Sequence, residues 1–254
     1  MNLHSYWTMT RTLTLSQMKA RYRRTFAGFF WVIMNPTIMF SAQAIVFKSI
    51  LKINMANYPI FLLGGLLPWI FITSSLDMGI PTLVNSRQLL VAFKVQPVVV
   101  LSSSLLDNWI NFLAAFLLVL IPTLALSGVV SPGLLLLPFV VIVLLAGVAG
   151  VVGYLALLNV FYRDVRFLVH FIINVLFFLT PIFYPPQLIP ENIRWLIDLN
   201  PLYLLIKPIR ECIYAFSPGV FFPSFAKSII VASLMLGLAS YYWKKRKNEF
   251  YHYL

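Results

Sequence analysis

The chain has 254 residues, 61% of them hydrophobic and only 10% charged, with a net charge of +12. A soluble domain carries about 45–50% apolar and about 25% charged residues, so a soluble globule is excluded and an all-α polytopic membrane protein is expected. One cysteine, Cys212, excludes an internal disulfide, and the length fits a single transmembrane domain, 1–254, without a second soluble one.

The first 30 residues begin polar, run basic and lead into an apolar stretch, the order of a retained N-terminus rather than a cleaved signal peptide. Leu15, Met18, Tyr22, Phe26 and Phe29 recur every three or four residues, which makes one apolar helical stripe. Lys19, Arg21, Arg23 and Arg24 crowd the rest, so residues 10–28 read as a basic amphipathic helix lying in the membrane surface. It is either a plain lipid anchor or a helix that also touches a cytoplasmic partner.

Six apolar blocks follow, near 30–51, 59–80, 105–126, 134–160, 167–184 and 224–243. About 20 apolar residues span a bilayer as a helix. Pro68, Pro122 and Pro138 interrupt the second, third and fourth, which neighbouring helices tolerate by satisfying the freed carbonyls. Most basic residues fall at the two termini and in the loops around Arg87, Lys94, Arg163 and Arg166, so both termini are expected in the cytoplasm.

Between the second and third blocks, Asn85 or Ser86 is placed to cap a short helix running from Gln88 to Phe93. Segment 82–96 is then a force-transmitting helix or a plain linker. Ser103, Asp107 and Asn111 recur every four residues on one face of the third span, and Asn35 and Gln43 share a side of the first. Such groups line the bundle interior or a wet path, or hydrogen-bond between helices. Ala146 with Gly150, and Ala149 with Gly153, are small-xxx-small pairs that let helices pack closely. In Phe161-Tyr162-Arg163-Asp164-Val165-Arg166, Asp164 is placed to cap the next helix and Arg163 to bind phosphate or backbone carbonyls. Residues 185–223 are too long for a hairpin and too apolar for a free loop. A helix is expected to start at Pro190-Glu191 and carry Trp195. A break at Asn200-Pro201 and a second helix over 202–216 follow. Together they are expected to lie at the outer surface or to re-enter the membrane as short re-entrant helices, a candidate outer gate.

There is no Gly-x-x-x-x-Gly-Lys-Ser/Thr phosphate loop, no Gly-x-Ser-x-Gly nucleophile and no metal-ligand spacing; His4, His170 and His252 lie far apart. Uphill movement then needs another polypeptide. A lone ion-coupled transporter would have only Asp107 as a mid-membrane carboxylate, and a membrane-embedded transferase only Asp77 or His170.

Several runs together resemble one family. They are Arg21-Tyr22-Arg23-Arg24 with Gly28-Phe29-Phe30-Trp31 and Asn35-Pro36, then Phe61-Leu62-Leu63-Gly64-Gly65-Leu66-Leu67-Pro68-Trp69 and Asn159-Val160-Phe161-Tyr162-Arg163-Asp164-Val165. Thr180-Pro181-Ile182-Phe183-Tyr184-Pro185, Ile189-Pro190 and Asn200-Pro201 complete the set. Over nearly its whole length the chain resembles the membrane subunit of ABC-2 type polysaccharide exporters, of the O-antigen permease (Wzm) type. The resemblance implies a homodimer of six-helix subunits in the bacterial inner membrane, with two copies of a separate ATPase that carries the ATP and Mg; no cofactor on this chain and no nucleic-acid partner are expected. Residues 10–28 and 82–96 would contact the ATPase, through Met18, Tyr22, Asn85, Arg87, Gln88, Phe93 and Lys94. Segment 186–216, with Pro190, Glu191, Trp195, Asn200 and Pro201, would form the outer gate. The implied cargo is a glycan on a lipid diphosphate, O antigen before capsular polysaccharide or teichoic acid. Aromatic rings stack on sugar faces, so Trp69, Phe71, Trp109, Phe112 and Phe116, with Asp107 and Asn111, are expected along its path. Arg21, Arg23, Arg24 and Arg163 are expected at the diphosphate, because guanidinium suits phosphate oxygens.

Overall fold

The computed structural model describes residues 3–22, 30–47, 55–93, 95–128 and 130–254. Expectations for Arg23, Arg24, Phe26, Phe29, Lys94 and the Tyr22 side chain fall outside the described residues. The described elements are all helical: α1 Leu3–Tyr22, α2 Phe30–Ile45, α3 Tyr58–Gly79, α4 Thr82–Asn85, α5 Arg87–Val91, α6 Pro97–Ser127, α7 Leu137–Phe161, α8 Val165–Leu179, α9 Trp195–Asp198, α10 Pro201–Ile213 and α11 Pro218–Tyr253.

Four helices are long and apolar enough to cross a membrane: α3, α6, α7 with the 3-10 turn Pro132–Leu136 that leads into it, and α11. The other two expected spans are shorter as described. α2 has 16 residues and α8 has 15, below the roughly 20 a bilayer requires. α8 stops at Leu179 because Pro181 follows, and proline restricts the residue before it to extended backbone; Thr180 sits at φ −86°, ψ 131°.

Proline placement corrects one expectation. Pro138 does not interrupt the fourth span; it lies in the first turn of α7, where a missing N–H costs nothing. Pro59, Pro97, Pro201 and Pro218 open α3, α6, α10 and α11 in the same way. Pro68 and Pro122 do lie inside their helices.

α3 is the hub, buried on nearly every side by α2, α6, α7 and α10. α7 and α11 form the longest contact, and Gly150 is why: a Cβ there would lie 2.5 Å from the Leu236 nitrogen, so only glycine lets the two backbones approach. Gly153 meets Ala239 on the same seam, as the small-residue spacing predicts.

The molecule has two distinct ends. At one, Leu83, Leu90, Val100, Leu157, Val160, Phe250 and Leu254 form a satellite core that joins α4, α5 and the ends of α6, α7 and α11. At the other, Tyr58, Ile182, Phe183, Cys212, Ile213 and Phe221 belong to the main core. α10 is not a surface helix. Leu202, Leu205, Ile206, Ile209 and Ile213 are buried against α3, α7 and α11.

Candidate functional site

The N-terminal helix is held by polar groups. The Tyr6 hydroxyl donates to Gln96 Oε1, and the Thr14 hydroxyl donates to the Ser103 carbonyl at 3.3 Å. Gln17 Nε2 donates to Ser103 Oγ at 3.3 Å, and Arg21 forms an ion pair with Asp107. Tyr6, Thr10, Thr14, Gln17 and Arg21 step by three or four residues and therefore share one face of α1. α1 also begins at Leu3, well before residue 10. Of the apolar stripe expected to lie in the membrane surface, Leu15 is exposed and Met18 half-buried, so the packing face of α1 is the polar one.

Asp107 is 1% exposed. A carboxylate out of water needs a cation and hydrogen bonds to remain charged. Arg21 supplies the first, and Asn111 Nδ2 donates to Asp107 Oδ1 at 3.4 Å. Arg21 Nη2 also lies 3.3 Å from Met78 Sδ at the end of α3. Beside Asp107 in the chain, Asn108 Nδ2 donates to Ser75 Oγ of α3 at 3.4 Å. The third span therefore offers a carboxylate to α1 and an amide to α3 at once.

These groups border a cavity of about 180 Å³ between α1, α2, α3 and α6, lined by Arg21, Trp31, Asn35, Phe71, Ser74, Asn108, Asn111 and Phe112 among others. Phe71, Trp109 and Phe112 form a ring cluster with centroids 4.8–5.6 Å apart, and Phe116 continues it at 5.3 Å from Phe112. Of the expected path residues, Phe71, Asn111 and Phe112 line the cavity. Trp109 stacks beside them, Phe116 is core, and Asp107 sits one turn from the lining residue Asn111. Trp69 is not with them; it packs 6.0 Å from Phe177 of α8.

At the end that carries α4 and α5, a short helix does form in segment 82–96. It spans Arg87–Val91 with Ser86 at its N-cap and no side-chain cap bond, so Ser86 rather than Asn85 stands at the start. Asn85, Arg87, Gln88, Val91 and Phe93 are exposed, Phe93 to 74%, while Leu90 anchors the segment beneath. Arg163 is exposed in the α7–α8 turn. Asp164 takes the N-cap position of α8, but its side chain makes no capping hydrogen bond, because its backbone is already helical (φ −74°, ψ −16°).

The opposite end holds the site that sequence reasoning missed. Residues 180–184 leave α8 as irregular backbone, yet Thr180, Ile182 and Phe183 are buried. Unpaired carbonyls there would be costly. Arg210 of α10 meets them: Nη1 donates to the Pro181 carbonyl at 2.7 Å and Nη2 to the Ile182 carbonyl at 3.1 Å. The Tyr58 hydroxyl donates to the Phe183 carbonyl at 2.9 Å. Asn200 Nδ2 donates to Thr180 Oγ1 at 2.9 Å, while Asn200 Oδ1 caps α10 by accepting from the Leu202 and Tyr203 N–H groups. The Arg210 guanidinium lies 4.2 Å from the Phe61 ring centroid. Gly64 and Gly65 make the approach feasible. A Cβ on Gly64 would stand 2.9 Å from Arg210 Cα, and one on Gly65 would overlap the guanidinium. The available signal was three charges, Lys207, Arg210 and Glu211, inside the otherwise apolar run 202–213. The other expected gate residues lie nearby in the chain: Pro190 precedes the 3-10 turn Glu191–Ile193, an exposed Trp195 opens α9, and Pro201 opens α10.

The sequence pattern of the ABC-2 type transporter family matches residues 8–214, from α1 through the end of α10. The chain belongs to this family. An O-antigen export system permease protein, RfbA, of Myxococcus xanthus is 30% identical over 250 residues, 98% of this chain and 96% of the relative. A protein of the same description from Klebsiella pneumoniae is 28% identical over 216 residues, covering 83% and 82%. The polysialic acid transport protein KpsM of Escherichia coli is 25% identical over 235 residues, 90% of each. Both the α1–α6 polar seam and the Arg210 clamp therefore lie inside the ABC-2 region, in a multi-pass membrane transport protein.

Proposed function

We propose that this chain is the transmembrane subunit of an ATP-driven exporter that moves a lipid-diphosphate-linked polysaccharide, O antigen first, across the bacterial inner membrane. Capsular polysaccharide or teichoic acid is the alternative cargo. The observation that carries the reading is the wall shared by α3 and α6, where the rings of Phe71 and Phe112 stand beside the amides of Asn108 and Asn111. Rings take the apolar faces of sugars and amides take their hydroxyls, without selecting one sugar sequence. The names of the full-length relatives agree.

On this reading two copies of the chain pair in the membrane, with six crossings each and both termini in the cytoplasm. The exposed Phe167, Phe171 and Phe178 of α8 offer apolar surface to the partner copy or to lipid. A separate ATPase, also in two copies, binds ATP and Mg and docks on α1 and on the exposed Asn85, Arg87, Gln88 and Phe93. Arg163, with Arg23 and Arg24, meets the lipid diphosphate, while Arg21 is shared with Asp107. That pairing weighs against the ion-coupled alternative, since the one mid-membrane carboxylate accepts hydrogen bonds from Arg21 and Asn111 rather than standing open to an ion.

The subunit and its ATPase, co-purified into liposomes with lipid-linked glycan, are expected to translocate it only with ATP. Translocation by the isolated subunit without nucleotide would overturn the proposal. Arg163→Ala is expected to lower export while complex assembly stays intact, measured by surface glycan against co-purified ATPase. Wild-type export by that variant removes Arg163 from the diphosphate site.

A further inference from the structure

A second cavity, of about 400 Å³, lies at the Arg210 end, between the chain leaving α8 and helices α9 and α10. Its volume falls within the roughly 300–1,000 Å³ of small-molecule sites. Three cations border it, Arg194, Lys207 and Arg210, and so do two carboxylates, Asp198 and Glu211. Phe61, Tyr203 and Tyr214 supply ring surface to the same walls.

The two arginines are fixed before any ligand arrives. Arg210 is clamped on the Pro181 and Ile182 carbonyls, and Arg194 Nη2 donates to the Ile189 carbonyl at 3.1 Å. Each still holds a buried Nε–H without a partner among the described residues. The side chains of Lys207 and Asp198 form no hydrogen bond among the described residues.

Charge decides the class of ligand. A small anion would meet Asp198 and Glu211, and a metal ion would meet Arg194, Lys207 and Arg210; each is repelled by part of the lining. A neutral ligand whose groups both donate and accept satisfies both signs at once. Sugar hydroxyls do this, and sugar rings present C–H faces to tyrosine rings. We infer that this cavity is a subsite for a neutral sugar unit of the exported glycan, at the far end of its path from the α1–α6 seam. The inference rests on the export reading above.

The test places the photo-cross-linker p-benzoylphenylalanine at Gln187, which lines this cavity, and separately at Ala115, which lines the cavity between α2, α3 and α6. The full exporter is irradiated in cells that make the cognate glycan and in cells that do not. Glycan-bearing adducts at Gln187, absent from the glycan-deficient cells, are expected. Glycan adducts at Ala115, with phospholipid adducts or none at Gln187, would overturn the subsite and leave the export reading standing. Glycan adducts at neither position overturn both. The double variant Asp198→Asn with Lys207→Met is expected to lower export several-fold while membrane levels hold. Export unchanged in that variant also overturns the subsite.

Discussion

Gly65 has no room for a methyl group, because the Arg210 guanidinium occupies that volume. Gly65→Ala would displace the guanidinium from the Pro181 and Ile182 carbonyls. Overpacking costs about 1–3 kcal/mol, and each charged hydrogen bond contributes about 1.5–3 kcal/mol. The variant is expected to unfold at clearly lower temperature in detergent. Cys212 reports it: the sole thiol is fully buried beside the clamp, so a thiol-reactive dye reads its release. Arg210→Lys is expected to lose most of the same stability, because a point-charge ammonium does not reproduce a fork across two carbonyls. An unchanged midpoint in both variants would remove the clamp from the stability of the fold.

α1 is an element whose role follows from which face it buries. A helix held by an apolar stripe slides with little penalty, whereas one held by Tyr6, Thr14, Gln17 and Arg21 has a defined register against α6. A displacement of α1 is expected to reach the wall of the aromatic cavity through the Arg21–Asp107 pair. Asp107→Asn leaves Arg21 without its counter-ion. Removing one member of a buried pair costs about 3–5 kcal/mol, and this pair falls toward the low end because the Arg21 side chain remains 28% exposed. Faster amide exchange across residues 3–22 and reduced ATP-dependent export are expected. The reciprocal exchange Arg21→Asp with Asp107→Arg is expected to restore both. Loss of export with unaltered exchange would show that Asp107 acts on the cargo rather than on the helix.

At the scale of the whole molecule, the two ends differ in kind. One is basic and protrudes through Phe93 and Arg163; the other is an irregular segment sealed by Arg210, Tyr58 and Asn200. The expected orientation places Phe93 in the cytoplasm and Gln187 outside. With Cys212 replaced by alanine, Phe93→Cys is expected to react with an impermeant maleimide only in inverted vesicles, and Gln187→Cys only in right-side-out cells. Labelling of both from one side would overturn the topology.

The membrane class, the helical fold and the sites of α3, α6, α7 and α11 were legible in the chain, because apolar length follows directly from bilayer thickness. The exposed segment after α3 and the break at Asn200-Pro201 were legible too, from local turn and capping chemistry. The sequence left the packing face of α1 open. Its threonines and glutamine carry no periodic signal of their own, and only a partner segment bearing Gln96, Ser103 and Asp107 turns them into a packing face. It was silent on Arg210, whose partners lie nearly thirty residues away as backbone carbonyls of no distinctive sequence. It did not divide Trp69 from Phe71, since which ring meets α8 and which meets α6 depends on how α3 is rotated in the bundle. Periodicity and length act along one helix. Pairing of polar groups between helices exists only once the helices have met.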